Sequence, residues 1–171
     1  MSAINIGIRL AAVLATSAVM AYGALPAAAS TFPPNEGMVV HVFDGDTLVV
    51  ESRGRRYKIR ILGIDTPEVR GPYTREQPFG KQASARTKEL ATGKKVTLEY
   101  GGDALKDKYG RLLAYVTLPD GADLGRILIS EGLAEAFHHA EYSRKRLYHE
   151  LESKAKQARL GIWSPPHKDK R

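Results

Sequence analysis

The stretch Arg60-Ile61-Leu62-Gly63-Ile64-Asp65-Thr66-Pro67-Glu68 constrains this chain more than any other. It opens as a strand in which Tyr57, Ile59, Ile61 and Gly63 alternate with Lys58, Arg60, Leu62 and Ile64. Asp65 is expected to close that strand, and Pro67, lacking an N–H, ends ladder pairing. Arg60 then places a guanidinium on a strand turning apolar, which is costly unless an anion meets it. Asp65 and Glu68 stand on the rigid turn at the strand end, within its reach. A cation and two carboxylates so close together describe either a site or a surface ion pair beside a turn, and these residues alone leave both readings open.

The residues before this stretch supply more carboxylates. Met38–Phe43 and Thr47–Glu51 read as strands around Asp44-Gly45-Asp46, a hairpin signal because glycine accepts positive φ without steric cost. The turn explains Asp44. Asp46, at the start of a strand where Asp is disfavoured, is less well explained by structure. Ser52–Arg56 turns the chain again, so three strands form a meander whose ends gather acids.

Beyond Glu68, Gly71, Pro72 and Pro78 forbid regular structure. From Phe79 the period changes: Ala83, Ala85, Thr87, Leu90 and Ala91 predict an amphipathic helix ending at Gly93. Lys95–Tyr100 and Leu112–Leu118 are the next strands, separated by the charged loop Asp107-Lys108-Tyr109-Gly110-Arg111. Asp123 caps a helix through about Ser130, and residues 143–160 form a last helix capped by Gly161, with Ile162-Trp163 folding back. The expected class is α+β: a five-stranded OB-fold-like barrel with three packed helices.

The ends lie outside that barrel. Arg9 is the single charge before the apolar run Leu10–Leu25, and Pro26-Ala27-Ala28-Ala29-Ser30 follows. Residues 1–29 read as a signal peptide cleaved after Ala29, with an uncleaved N-terminal anchor as the alternative. The run is too short and interrupted for a stable membrane span. Residues 30–37 are a linker, 38–164 the folded domain, and 165–171 a basic tail. Without residues 1–29 the chain carries 25 Lys+Arg against 19 Asp+Glu, an excess that favours polyanions. The chain has no cysteine, which excludes disulfides, thiol nucleophiles and Cys-ligated metals.

Three fragments now fall together: Asp44-Gly45-Asp46-Thr47, Arg60 through Glu68, and Asp107 through Arg111. With Ala158-Arg159-Leu160-Gly161-Ile162-Trp163, they resemble the staphylococcal nuclease family of thermonucleases, from about Val39 to Trp163. The residues agree with what the likeness implies. Asp46, Asp65 and the Thr66 carbonyl are hard oxygen donors suited to Ca²⁺ or Mg²⁺ and not to zinc; the resemblance implies Ca²⁺. It also implies Glu68 as general base or water-positioning group, and Arg60 and Arg111 as the pair gripping phosphate. Guanidinium forks match phosphate oxygens bidentately. Lys108 and Tyr109 correspond to phosphate-contacting residues.

The resemblance therefore implies a secreted or cell-envelope, Ca²⁺-dependent endonuclease. It would hydrolyse DNA and RNA, leave 3′-phosphates and act as a monomer; single strands are the expected preference because a barrel face takes splayed bases easily. One alternative is a non-catalytic nucleic-acid-binding module on the same fold; another is an exported barrel binding acidic polymers by charge. Asp107 is expected to support its loop. His138-His139 reads as a surface pair, and Arg144, Lys145 and Arg146 as a solvated helix face. The segment Glu135–Ala140 departs from the family type, which has two tyrosines near the nucleotide pocket. That leaves Phe137, His138 or Tyr142 to stack on a base.

Overall fold

Two tight turns organise the first three strands. In the computed structural model, which describes residues 33–71 and 75–165, β1 (Glu36–Val42), β2 (Thr47–Ser52) and β3 (Arg55–Ile61) form an antiparallel meander. Arg53 and Gly54 both take positive φ between β2 and β3, a turn whose twist suits the flanking strands. Register pairs Val42 with Leu48 and Thr47 with Arg60, so the acids of the first turn lie beside the end of β3.

The strand carrying Arg60 does not run unbroken to Asp65, as its alternation suggests. It stops at Ile61, and Gly63, at φ 81°, turns the chain into a separate short strand, β4 (Ile64–Asp65). A Cβ on Gly63 would lie 2.6 Å from the Tyr142 ring, so the break is fixed by close packing as well as by backbone conformation.

After helix α1 (Gly80–Ala91) come β5 (Lys95–Glu99) and β6 (Leu112–Thr117). The barrel closes in the order β1-β2-β3-β6-β5, with β3 and β6 parallel and β5 returning antiparallel to β1. A parallel pair needs a long crossover, and α1 with β5 supplies it. The expected five-stranded α+β barrel is thus observed. Leu48, Val50, Ile59, Ile61, Val96, Ala114 and Val116 are among its fully buried residues.

Asp123 accepts the Arg126 amide and caps α2 (Leu124–Ser130), as expected. A second short strand, β7 (Glu135–Ala136), pairs antiparallel with β4 and has no sequence signature at this length. Helix α3 (Lys145–Gln157) packs on α2 and β7.

Gly161 does not cap α3. Arg159 takes the left-handed position, at φ 54°, and the Leu160 amide bonds back to Ala155 O. Gly161 is needed elsewhere: a Cβ there would meet the Gly132 carbonyl oxygen at 2.0 Å, where the 3₁₀ turn Gly161–Trp163 docks. Arg144 is no solvated residue either. Its guanidinium lies 3.9 Å from the Tyr115 ring centre and 2.8 Å from Asp123 Oδ2, and it also pairs with Glu99. Ala85, placed on the apolar face of the first helix by its sequence, is exposed, while Ser84 is buried there.

The expected signal peptide (1–29), the start of the linker and nearly all of the basic tail lie outside the described residues. Among the described residues no helix is long and apolar enough to cross a membrane.

Candidate active site

The site is built from the acid turn inward. Asp44 Oδ1 accepts the amides of Asp46 and Thr47, at 3.0 and 2.6 Å, so its role is to hold the turn. That turn aims Asp46 into the protein, where it is buried. Asp46 Oδ2 accepts the Thr66 amide at 2.9 Å and the Thr66 hydroxyl at 3.1 Å, and Oδ1 accepts the Thr47 hydroxyl. Gly45 lets Thr66 come this near: a Cβ on it would sit 2.7–2.8 Å from the Thr66 side chain.

Arg60 ties the two acidic strand ends together. Its Nη2 lies 3.1 Å from Asp46 Oδ2 and 2.6 Å from Asp65 Oδ1, while Nη1 donates to the carbonyls of Ile61 and Ile64. The guanidinium on this strand thus meets two carboxylates, the anionic partners its position demands. Arg111 approaches from the neighbouring strand's start. It donates through Nη1 to Thr47 Oγ1 at 3.2 Å and through Nε to Asp107 Oδ2 at 2.6 Å. Asp107 also accepts the amides of Tyr109 and Arg111, so it supports its loop as expected.

The electrostatics record crowding of negative charge. Burial and repulsion from Asp46 push the Asp44 carboxyl up to about 6. Asp65 is also raised, first by burial and then by Asp46, against the pull of Arg60 and Arg111. Burial, then Asp46 and Asp65, raise Glu68 in the same way, and the two arginines oppose them. Like charges held this close disfavour their own ionisation, and a bound cation relieves them. The donors around Arg60 are all oxygens, with no imidazole among them, and that set fits a hard divalent ion such as Ca²⁺ or Mg²⁺.

Glu68 is exposed beside this cluster. Its amide donates to Gln77 Oε1 at 2.8 Å and its carbonyl accepts the Gln77 amide at 2.9 Å. A cleft of about 510 Å³ opens next to Arg60 and Arg111, and Lys108, Tyr109, Phe137 and Tyr142 also line it. Tyr109 is 72% exposed, with Lys108 Nζ 5.1 Å and the Arg111 guanidinium 5.5 Å from its ring centre. Of the three candidates for base stacking, Phe137 alone is a half-buried ring lining the cleft. Tyr142 is buried against Gly63 and Tyr148, and His138 turns towards α3.

Comparison with known proteins gives the family. Residues 58–165 match the family described as staphylococcal nuclease homologue. The chain is 41% identical over 128 residues to the thermonuclease of Staphylococcus hyicus, covering 74% of each chain. It matches the thermonuclease of Staphylococcus intermedius to the same extent. Endonuclease YncB of Bacillus subtilis is 42% identical over 123 residues, 71% of this chain and 58% of that one.

The chain belongs to the staphylococcal nuclease family. Within this family member, sequence reasoning missed the residues that brace the site. Gln77 clamps the Glu68 backbone, Thr47 links Asp46 to Arg111, and Thr87 on α1 donates to Gly45 O at 2.7 Å. Gly80, the first residue of α1, passes under Glu68: a Cβ there would lie 2.3 Å from the Glu68 carbonyl oxygen. Two of these left a trace: Thr47 stands in the Asp44-Gly45-Asp46-Thr47 fragment without a role assigned to it, and Thr87 is a polar residue on the helix face expected to be buried.

Proposed function

We propose that this protein is a secreted, Ca²⁺-dependent nuclease that hydrolyses phosphodiester bonds of DNA and RNA and leaves 3′-phosphates. The observation that carries the reading is the Arg60 guanidinium bridging Asp46 and Asp65 beside Arg111. Two phosphate-matching forks and a crowded oxygen cluster then share one end of the barrel. Asp46, Asp65 and the Thr66 carbonyl would hold the ion. When bound, Ca²⁺ supplies positive charge that polarises a phosphoryl oxygen and neutralises charge built up in the transition state.

The chain's own residues do the rest. Glu68, exposed and with its carboxyl held above the ordinary carboxylate range by burial and the neighbouring acids, orients a water and takes its proton as the oxygen attacks phosphorus. Arg60 exchanges carboxylate oxygens for phosphate oxygens, and Arg111 donates a second fork, so charge growing on the five-coordinate phosphorus meets fixed donors. The P–O5′ bond breaks and the leaving oxygen takes up a proton from solvent water. Lys108 and Tyr109 hold the adjoining strand along the cleft. Export through the N-terminal signal delivers the enzyme, acting as a monomer, to the cell envelope or medium.

The test is incubation of the purified protein with plasmid and with RNA, in Ca²⁺ or in chelator, followed by end-group analysis. Cleavage should require Ca²⁺ and yield 3′-phosphate ends. Full cutting in excess chelator, or 5′-phosphate products, overturns the reading. N-terminal sequencing of the protein from the medium or envelope fraction should begin at Ser30.

A further inference from the structure

On the far side of β7 from its pairing with β4, a different donor set assembles. Glu152 is buried on α3; Oε1 accepts the Ala136 amide at 3.1 Å and Oε2 accepts Lys156 Nζ at 2.9 Å. His149, three residues earlier, lies on the same helix face. His138, from the loop after β7, brings Nε2 to 3.6 Å from Glu152 Oε2 and its ring to 4.3 Å from the His149 ring. One ligand atom from each of the three residues lies within 4.8 Å of the other two.

We propose that His138, His149 and Glu152 form a second metal site, for a borderline transition ion such as Zn²⁺. Two imidazole nitrogens and one carboxylate oxygen select such an ion over Ca²⁺, whose ligands are oxygens. Tetrahedral bonds of about 2.0–2.1 Å place ligand atoms roughly 3.3 Å apart, so closing the site takes side-chain rotation of about an ångström. The His138–Glu152 edge is nearly there already. The carboxylate is positioned by the Ala136 amide, the kind of outer hydrogen bond that orients metal ligands. Lys156, which neutralises Glu152, at the same time rests its Nζ 4.3 Å from the Trp163 ring centre, so it keeps an aromatic partner when an ion takes over the carboxylate. His138 is half exposed, which leaves the fourth position open to water.

Occupancy would tie the loop after β7 to α3. That loop also carries Phe137 and Ala140 into the cleft, so the ion would fix one wall of the groove.

The experiment is calorimetric titration of the full chain with Zn²⁺ at saturating Ca²⁺, beside thermal melting and the visible spectrum with Co²⁺. Wild type should bind one Zn²⁺, melt higher with it, and give an intense tetrahedral Co²⁺ band. His138→Ala, which removes an exposed side chain, should keep the fold and weaken binding. The loss should reach at least the roughly 10–100-fold that removal of a supporting group costs. His149→Ala should do the same, and Asp46→Asn should leave Zn²⁺ binding intact. Unchanged Zn²⁺ affinity in His138→Ala, no binding by wild type, or loss of binding in Asp46→Asn alone overturns the proposal.

Discussion

Asp46 carries two duties that pull in different directions. Clustered acids repel, and by that argument alone Asp46→Asn would stabilise the protein without its ion. The structure reverses the sign. Both Asp46 oxygens accept hydrogen bonds from threonines, and Oδ2 also faces Arg60. Hydrogen bonds to a buried charge contribute about 1.5–3 kcal/mol, and an amide cannot accept at both ends. Asp46→Asn should therefore lose stability of that order in urea unfolding with chelator present, and lose cleavage as well. Glu68 differs because its carboxylate is exposed and, among the described residues, the brace from Gln77 reaches its backbone. Glu68→Gln should fold with an unchanged melting temperature while the cleavage rate falls by about 10²–10⁴-fold. Arg60→Lys should be worse on both counts, since one ammonium cannot replace contacts to two carboxylates and two carbonyls. Cleavage assays beside melting curves separate these outcomes, and a Glu68→Gln variant cutting at wild-type rate would remove Glu68 from the chemistry.

At the scale of elements, what the sequence made legible was whatever obeyed a local rule. The strands showed as alternation, α2 as an Asp cap, and the acid turn as Asp-Gly between β-branched runs. β4 and β7 were hidden because a two-residue strand has no period, and the pairing joins residues as far apart in sequence as Ile64 and Ala136, beside the close approach of Tyr142 to Gly63. The brace from Gln77 to Glu68 was hidden for a similar reason, lying in a segment without regular structure. The cap of α3 was misread because Gly161 answers to Gly132, a neighbour in space and not in sequence. The bracing makes its own prediction. Gly80→Ala would ordinarily favour a helix, yet here the methyl meets the Glu68 carbonyl. Displacement of Glu68 by about 1 Å should cost on the order of 10²-fold in rate. Equal activity in Gly80→Ala would show that α1 does not position Glu68. The Asp107 loop offers a pH test. Burial raises the Asp107 carboxyl, but hydrogen bonds from Arg111 and its attraction outweigh this and hold it below the ordinary 3.8. A depressed acid contributes stability that is present above its unfolded pKa and lost as pH falls through the folded value. The loop should accordingly loosen below pH 3.8, seen as faster amide exchange at Tyr109 and Arg111. Asp107→Asn should abolish that dependence.

For the molecule as a whole, charge and shape point to the same kind of substrate. The chain has 26 Lys+Arg against 19 Asp+Glu, yet much of that excess is spread over helices and turns. The cleft concentrates three cations, Arg60, Lys108 and Arg111, around an exposed tyrosine and a half-buried phenylalanine. Cations spaced between aromatic faces suit a strand whose bases are splayed out, because every base has a face to stack and a paired base does not offer it. Binding should therefore favour single strands, and its salt dependence should be modest. Neutralising three phosphates on a single strand gives a slope of log K against log salt of about −2, since each contact contributes roughly −0.7. Fluorescence anisotropy of labelled oligonucleotides with Glu68→Gln in Ca²⁺ measures binding without turnover. Lys108→Ala should reduce the slope by about 0.7 with any base sequence. Phe137→Ala should leave the slope alone and weaken binding by the roughly 1–3 kcal/mol of one stacked base. Duplex bound more tightly than single strand, or a slope several times steeper, would place the nucleic acid on the basic surface outside the cleft.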